Sequence, residues 1–246
     1  MRNWIAATIL SLAPFLALGA TGKTITYDVN GQPYEGYYIS PGKDAPLVLM
    51  IHDWDGLTGY EVKRANMLAE TGYAVFAADL FGKGVRPVED ADKRQHTGEL
   101  YKDREKMRAL MIGALETAQS NGANIKNAVA VGYCFGGAAV LELARSGADL
   151  KGFVTFHGGL QTPEGQNYSK TRGSVLIMHG GADTAITMDD FATLAKALET
   201  AGVPYEMAVY GGAPHAFTVF GSDRYREDAD QKSWMLFNRF LEKNLK

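Results

Sequence analysis

Cysteine is almost absent from the sequence: Cys134 is the only one among 246 residues. An intramolecular disulfide is therefore excluded, and a single thiol cannot build a thiolate cage around a metal. Neither H-x-H nor H-E-x-x-H spacing occurs, and we see no heptads, repeats or low-complexity tracts. The formal net charge of −3 argues against nucleic acid as a partner. We expect no metal and no other cofactor.

Long apolar runs are scarce as well. The N-terminal run from Trp4 to Leu18 is short for a membrane span and is interrupted by Pro14. Arg2 precedes the run and small residues follow it, which predicts a signal peptide over residues 1–20. A signal anchor and an amphipathic helix are the alternatives. We expect a single mature domain over residues 21–246, secreted or periplasmic, without stable membrane insertion after cleavage.

The rest of the chain has the composition of one globular domain, with 46% hydrophobic and 22% charged residues. Continuous apolar runs such as Pro46 to Ile51 and Tyr73 to Ala78 are typical of strands buried on both faces. Asn30-Gly31 separates two alternating segments and predicts an N-terminal antiparallel hairpin. Alternation of strands and helices predicts an α/β fold, a mainly parallel sheet with helices on both faces. The polar segment from Gly82 to Thr97 is expected to be a long loop, part of a lid or substrate wall.

One short stretch carries the strongest functional signal. The sequence Gly132-Tyr133-Cys134-Phe135-Gly136 joins an apolar run to an alanine- and leucine-rich segment. Glycines two positions before and after a nucleophile are typical of the strand-to-helix elbow of an α/β-hydrolase. Cys134 is then the nucleophile, in the place where serine is commoner. The alternative is a tight turn that holds a buried free cysteine.

Partners for this nucleophile follow in the order that the α/β-hydrolase fold requires. Asp183 and His215 each come shortly after an apolar run, so acid and base both follow the nucleophile along the chain. We predict that His215 is the general base and that Asp183 holds it in the useful tautomer. The alternatives are a loop histidine and a turn or helix-capping aspartate.

Together these stretches resemble the dienelactone hydrolase family over roughly Tyr27 to Leu241. The resemblance implies the α/β-hydrolase fold and a Cys-His-Asp hydrolase that acts on esters or lactones. It rests on five segments: Ile51-His52-Asp53-Trp54-Asp55-Gly56-Leu57, Ala78-Asp79-Leu80-Phe81-Gly82, the cysteine elbow, His179 to Asp183, and Gly211 to Phe217.

The oxyanion hole and the environment of the thiol can also be assigned. The backbone N–H of Phe135, at the elbow, is one expected donor to a developing oxyanion. The resemblance places the second donor at Trp54. It also implies that Asp53 is the acid that interacts with the resting thiol, with a solvent-facing loop carboxylate as the alternative.

Substrate recognition is where the sequence departs from the family pattern. The resemblance implies two arginines that hold a substrate carboxylate, and they would fall at Lys83 and Val219. Lysine keeps the charge but loses the bidentate fork, and valine offers neither. Arg86 is a candidate substitute and His157 a further substrate-binding candidate, with a solvated loop charge and a core histidine as the alternatives. On these positions we expect a neutral lactone or ester to suit the site better.

The predicted activity is hydrolysis of a carboxylic ester or lactone through an acyl-enzyme intermediate, by a monomer acting on a small molecule. A thioesterase or acyltransferase would use the same triad with another leaving group or acceptor. A catalytically inactive, ligand-binding α/β-hydrolase is the alternative outside enzymes, although the intact Cys134, Asp183 and His215 argue against it.

Overall fold

The computed structural model of the protein describes residues 20–246. The predicted signal peptide therefore lies outside the described residues, apart from Ala20. In chain order the elements are β1 (Lys23–Val29), β2 (Gln32–Ile39), β3 (Pro46–Ile51), α1 (Gly59–Glu70), β4 (Ala74–Ala78), α2 (Asp90–Lys102), α3 (Arg104–Ser120), β5 (Asn124–Tyr133), α4 (Phe135–Arg145), β6 (Gly152–Phe156), β7 (Ser174–Gly180), α5 (Met188–Thr200), β8 (Tyr205–Tyr210) and α6 (Glu227–Leu245).

All eight strands form one sheet in the order β1-β2-β4-β3-β5-β6-β7-β8. The β1–β2 and β2–β4 pairs are antiparallel, and every other neighbouring pair is parallel. The hairpin turns at Asn30 and Gly31, which both have positive φ, as an Asn-Gly turn requires. The predicted fold, a mainly parallel sheet with an N-terminal antiparallel hairpin, is confirmed.

Strand β3 shows why the central strands have no polar alternation. Leu47, Leu49 and Ile51 pack into the core on one face of the sheet, and Val48 and Met50 pack on the other. The first face carries apolar residues of α3, α4 and α5, and the second carries those of α1 and α6. Each central strand is buried on both faces, so its sequence is a continuous apolar run.

The segment between β4 and β5 differs from the sequence expectation. The predicted loop from Gly82 to Thr97 is only partly a loop, because helix α2 begins at Asp90. Asp103 interrupts the helical run and caps α3 by accepting a hydrogen bond from the N–H of Lys106 at 2.9 Å. Helix α2 buries only Thr97 and Leu100, so its sequence lacks the apolar stripe that predicts a helix.

Parallel register brings three loops to one edge of the sheet. Ile51 of β3 pairs with Gly132 of β5, and Tyr133 of β5 pairs with Phe156 of β6. The residues that follow these strands are therefore neighbours at the carboxyl edge, where ligands gather in open α/β sheets. Within residues 20–246, no helix is both long enough and apolar enough to cross a bilayer.

Candidate active site

Cys134 occupies a strained backbone position between β5 and α4. Its φ of 51° and ψ of −113° lie in a region that residues with a side chain rarely adopt. The turn is tight enough that a Cβ on Gly132 would lie 2.0 Å from the carbonyl oxygen of Gly136. Glycine is therefore required at position 132, and the elbow predicted from the sequence is the local geometry. The thiol lies at the N-terminus of α4 and is partly exposed.

The three predicted triad residues form one hydrogen-bonded line. His215 Nε2 lies 3.1 Å from the Sγ of Cys134, and His215 Nδ1 lies 2.7 Å from the Oδ2 of Asp183. The other oxygen of Asp183 accepts hydrogen bonds from the backbone N–H groups of Ala185 and Ile186, both at 2.9 Å. The carboxylate is thereby fixed in orientation, and it can only accept from Nδ1–H of the imidazole.

Electrostatics favour a charged imidazole in this line. Burial acts to lower the pKa of His215, but the hydrogen bonds with Asp183 and Cys134 outweigh it and raise the pKa to about 10. Burial likewise acts to raise the pKa of Asp183, yet the hydrogen bond from His215 and those from backbone N–H groups hold it below its ordinary value. The site is therefore arranged to keep a proton on His215 between a carboxylate and the sulfur.

The two predicted oxyanion donors lie on adjoining segments of backbone. A Cβ on Gly136 would lie 2.4 Å from the carbonyl oxygens of both Ile51 and His52, so the loop after β3 runs directly against the start of α4. Within residues 20–246, neither the N–H of Trp54 nor that of Phe135 makes a hydrogen bond. Both groups are free to donate to an oxygen that develops negative charge.

Asp53 is buried close to the triad. Its Oδ1 accepts a hydrogen bond from the N–H of Asp55 at 2.8 Å. Burial raises the pKa of Asp53 to about 6, opposed by that hydrogen bond and by the positive charges of Lys93 and His215. Among the described residues the Sγ of Cys134 is hydrogen-bonded to His215 and not to Asp53. The predicted interaction of Asp53 with the thiol therefore stays a prediction.

The two cations predicted to hold a substrate have different surroundings. The Lys83 side chain is exposed and makes no hydrogen bond or ion pair within residues 20–246. Arg86 donates to the carbonyl oxygens of Leu57 and Val85, forms an ion pair with Glu35 at 2.7 Å and lies 3.7 Å from a carboxylate oxygen of Asp79. Its guanidinium is already engaged on several sides, and the candidate role of Arg86 in binding a substrate carboxylate stays a prediction.

His157 lies in the protein interior and packs against His215. Its side chain is fully buried, its Nε2 is 2.8 Å from the Oγ1 of Thr218, and its ring packs edge-on against His215 at 5.4 Å. In this arrangement the ring packs against the predicted base and has no solvent contact, and its candidate role in substrate binding stays a prediction. Val219, the next residue after Thr218, is half-buried, and its role stays a prediction.

A buried polar network supports the loop that carries His215. The Oγ1 of Thr218 also lies 2.7 Å from the hydroxyl of Tyr60. Arg64 donates to that hydroxyl at 3.3 Å, to the carbonyl oxygen of Thr218 at 2.8 Å and to the carboxylate of Asp230. We call these residues with His157 the Arg64 network. Both the backbone and the side chain of Thr218, three residues after His215, are held by it.

The remaining histidines have structural partners or apolar surroundings. His52 accepts a hydrogen bond at Nε2 from the N–H of Leu80, and its Nδ1 contacts the carbonyl oxygen of Asp53. His179 is buried and stacks on Phe191 at 5.5 Å. Among residues 20–246, no three His, Cys, Asp or Glu side chains converge in a group that could hold a metal ion.

The sequence analysis missed one residue beside the nucleophile. Tyr101, at the end of α2, lies with its ring 5.5 Å from the ring of Phe135. The Tyr101 side chain is 37% exposed, and its hydroxyl lies close to Gly159, whose N–H donates to the carbonyl oxygen of Cys134 at 3.3 Å. Its position could have been found only by predicting α2, and this polar helix gives little periodic signal.

Comparison with known proteins agrees with this geometry. A profile of the dienelactone hydrolase family matches residues 34–245. A Salmonella typhimurium protein provisionally named a carboxymethylenebutenolidase is 25% identical over 217 residues, which cover 83% of this chain and 80% of that protein.

Solved structures are similar over nearly the whole chain. One, titled m3DLH, has a TM-score of 0.85 at 30% identity and covers 93% of this chain and 100% of its own. A dienelactone hydrolase-like promiscuous phosphotriesterase from metagenomic libraries has a TM-score of 0.86 at 27% identity, with the same coverage. This chain is a hydrolase and belongs to the dienelactone hydrolase family.

Proposed function

We propose that the protein cleaves a carboxylic ester or lactone through an acyl-enzyme formed on Cys134. The observation that carries this proposal is the hydrogen-bonded line from Cys134 through His215 to Asp183, at 3.1 Å and 2.7 Å. The line ends on a thiol that is partly exposed at the N-terminus of a helix, where a thiolate is favoured.

The first half of the reaction forms the acyl-enzyme. The thiolate of Cys134 attacks the carbonyl carbon, and the backbone N–H groups of Trp54 and Phe135 stabilise the oxyanion. When the carbon–oxygen bond breaks, the leaving alkoxide takes the proton from the imidazolium of His215. In a lactone this alcohol remains attached to the acyl group.

The second half restores the enzyme. Neutral His215 takes a proton from water, and the resulting hydroxide attacks the thioester carbonyl. Breaking the carbon–sulfur bond releases the carboxylic acid and the thiolate, so one water is consumed for each ester cleaved. Asp183 holds the imidazole with Nδ1–H towards itself and stabilises its charged form in both halves. We assign Asp53 to adjusting the charge near the resting thiol.

The direct test is removal of the nucleophile and the base. We expect Cys134→Ala and His215→Ala each to lower kcat for p-nitrophenyl acetate by about a thousandfold or more, and the double variant to be little worse. When two residues act in the same chemical step, removing either one already abolishes that step, so removing the second lowers kcat little further. Retention of more than about a tenth of the wild-type kcat by Cys134→Ala would contradict the cysteine mechanism.

Alkylation tests the state of the thiol independently of any substrate. Because the raised pKa of His215 keeps an imidazolium beside the sulfur, iodoacetamide should modify Cys134 readily in the native protein. The reaction should slow markedly in His215→Ala. An inert thiol in the native protein would favour the buried-cysteine reading, and faster turnover of an acyl-thioester than of any ester would favour a thioesterase.

We also propose that the protein is exported, which the N-terminal sequence over residues 1–20 supports. Intact-mass analysis of protein from a periplasmic or culture-medium fraction should give a chain that begins near residue 21. Detection of the uncleaved chain in the membrane fraction would instead indicate a signal anchor.

A further inference from the structure

A pocket of about 350 Å³ lies next to the triad, and the steps of the proposed reaction do not use it. Part of its lining is apolar and part is strongly basic. The lining residues are Tyr101, Arg104, Ala138, Arg145, Gly159, Gln161, Ala185 and Ile186.

Several contacts connect this pocket to the triad. The N–H groups of Ala138 and Gly159 both donate to the carbonyl oxygen of Cys134, at 3.4 Å and 3.3 Å. On the opposite wall, Ala185 and Ile186 donate to the carboxylate of Asp183. The pocket is therefore one residue away from the nucleophile on one side and from the triad acid on the other.

The basic end of the pocket has more positive than negative charge. The buried carboxylate of Glu142 forms ion pairs with Arg145 at 2.9 Å, with Arg104 at 3.2 Å and with Arg108 at 3.3 Å. We call these four residues the Glu142 cluster. One carboxylate cannot neutralise three guanidinium groups, so the cluster keeps an excess of positive charge. At the other end of the pocket two further carboxylates accept hydrogen bonds from lining residues: Asp183 from Ala185 and Ile186, and the partly exposed Asp190 from Gln161.

Arg104 is the member of the cluster that can bind something more. Arg145 is buried and donates to Gln166, Tyr168 and Glu142, so its guanidinium is fully engaged. Arg104 is 25% exposed and donates to Glu142 through Nη1, while its Nε and Nη2 have no partner within residues 20–246. Its guanidinium also lies over the ring of Tyr101, at 5.6 Å.

We propose that this pocket binds the carboxylate of an ester or lactone whose acyl part carries a second acid group, with Arg104 as the anion-binding residue. The inference rests on the proposed function, since it names the substrate class of that site. Arg104 is held between Tyr101 and Glu142, so the fork is pre-positioned for a carboxylate, which it can bind by two hydrogen bonds. Specificity is thereby placed on the α2–α3 side of the site, away from Lys83 and Val219.

The test compares two esters of equal size. Monomethyl adipate carries a distal carboxylate, and methyl 5-carbamoylpentanoate has a neutral amide in its place. We expect the wild type to show a higher kcat/KM for the anion, and Arg104→Met to lower that value about tenfold while changing the neutral ester less than about twofold. The released methanol is measured for both esters, and the advantage of the anion should shrink as salt is added.

Arg108→Met is the matched control. Arg108 also pairs with Glu142 and is 30% exposed, but it does not line the pocket. This variant removes one partner of Glu142 without removing the anion-binding fork, so it should lower the ratio of the two kcat/KM values much less than Arg104→Met does. Equal ratios in the wild type and Arg104→Met, or equal losses in the two variants, would overturn the inference and leave the ester hydrolase intact.

A binding measurement separates this inference from the proposed function. If the wild type cleaves neither these two esters nor p-nitrophenyl acetate, the proposed function fails. Calorimetric binding of monomethyl adipate to the wild type and to Arg104→Met then decides the pocket by itself. A dissociation constant about tenfold weaker in Arg104→Met would support the anion site, and equal constants would exclude it.

Discussion

The Arg64 network and the Glu142 cluster are both built from arginine and a buried carboxylate, and they differ in charge balance. In the Arg64 network, one carboxylate, Asp230, forms an ion pair with one arginine, Arg64, and also accepts a hydrogen bond from the hydroxyl of Tyr225 at 3.2 Å. In the Glu142 cluster, three arginines share one carboxylate. In the Arg64 network the charges of the ion pair balance, whereas in the Glu142 cluster N–H groups of Arg104 are left without a partner beside the pocket.

This difference in charge balance suits the two groups of arginine and carboxylate to different roles. A balanced and fully hydrogen-bonded pair can be buried at tolerable cost, and it fixes the position of the chain segments that it joins. Excess charge of one sign is unfavourable for folding alone, because the guanidinium groups repel each other. Its presence beside an open pocket indicates a binding role, and the balanced network behind His215 indicates a positioning role.

The largest expected effect comes from breaking the balanced pair. Arg64→Met leaves the carboxylate of Asp230 buried without its cation, so we expect the free energy of unfolding to fall by about 3–5 kcal/mol in urea denaturation. Arg104→Met should cost less than about 1 kcal/mol, because Arg104 is partly exposed and Glu142 keeps two other arginines.

The double variant Arg64→Met, Asp230→Asn is the control for that prediction. It removes both charges, so it should recover a substantial part of the stability that Arg64→Met loses. A loss of less than about 1 kcal/mol in Arg64→Met would show that the network does not hold the loop in place.

A smaller loss of stability is expected when the arginines of the Glu142 cluster lose their shared carboxylate. Glu142→Gln keeps the shape of the side chain but removes the only negative charge in the Glu142 cluster, so we expect a loss of about 2 kcal/mol. Sulfate at about 0.1 M should stabilise this variant more than the wild type, because an anion can bind among the unpaired guanidinium groups. The measurement is the unfolding midpoint with and without sulfate, and an equal response in both proteins would contradict the charge excess.

The sequence predicted that Cys134, His215 and Asp183 would lie together, and they do, because the signals for their positions are local. A glycine-flanked cysteine after an apolar run predicts an elbow, and each partner follows a later strand. Since parallel strands end at the same edge of the sheet, chain order alone brings Cys134, Asp183 and His215 together. The antiparallel hairpin was equally local, because its Asn-Gly turn lies between two alternating segments.

The pocket lined by Tyr101 and Arg104 could not be predicted in the same way. Arg104 and Glu142 are 38 residues apart on different helices, and nothing in the local sequence indicates that their side chains meet. Helix α2 was not predicted because only two of its residues, Thr97 and Leu100, are buried, so its sequence has no apolar stripe. The orientation of His157 could not be predicted either, because a histidine at the end of a strand can face the substrate or the core. Its contact with Thr218 is made across 61 residues of sequence.

The shallow burial of α2 has a consequence for how the pocket behaves in time. The free energy needed to open a segment locally depends on the apolar contacts that it must give up, and this helix gives up few. We therefore expect α2 to open locally more often than the central strands, and its amide protons to exchange with solvent sooner. Tyr101 lies at the end of α2, so the pocket wall beside Cys134 should widen when the helix opens, while the strand ends that carry the triad residues stay in place.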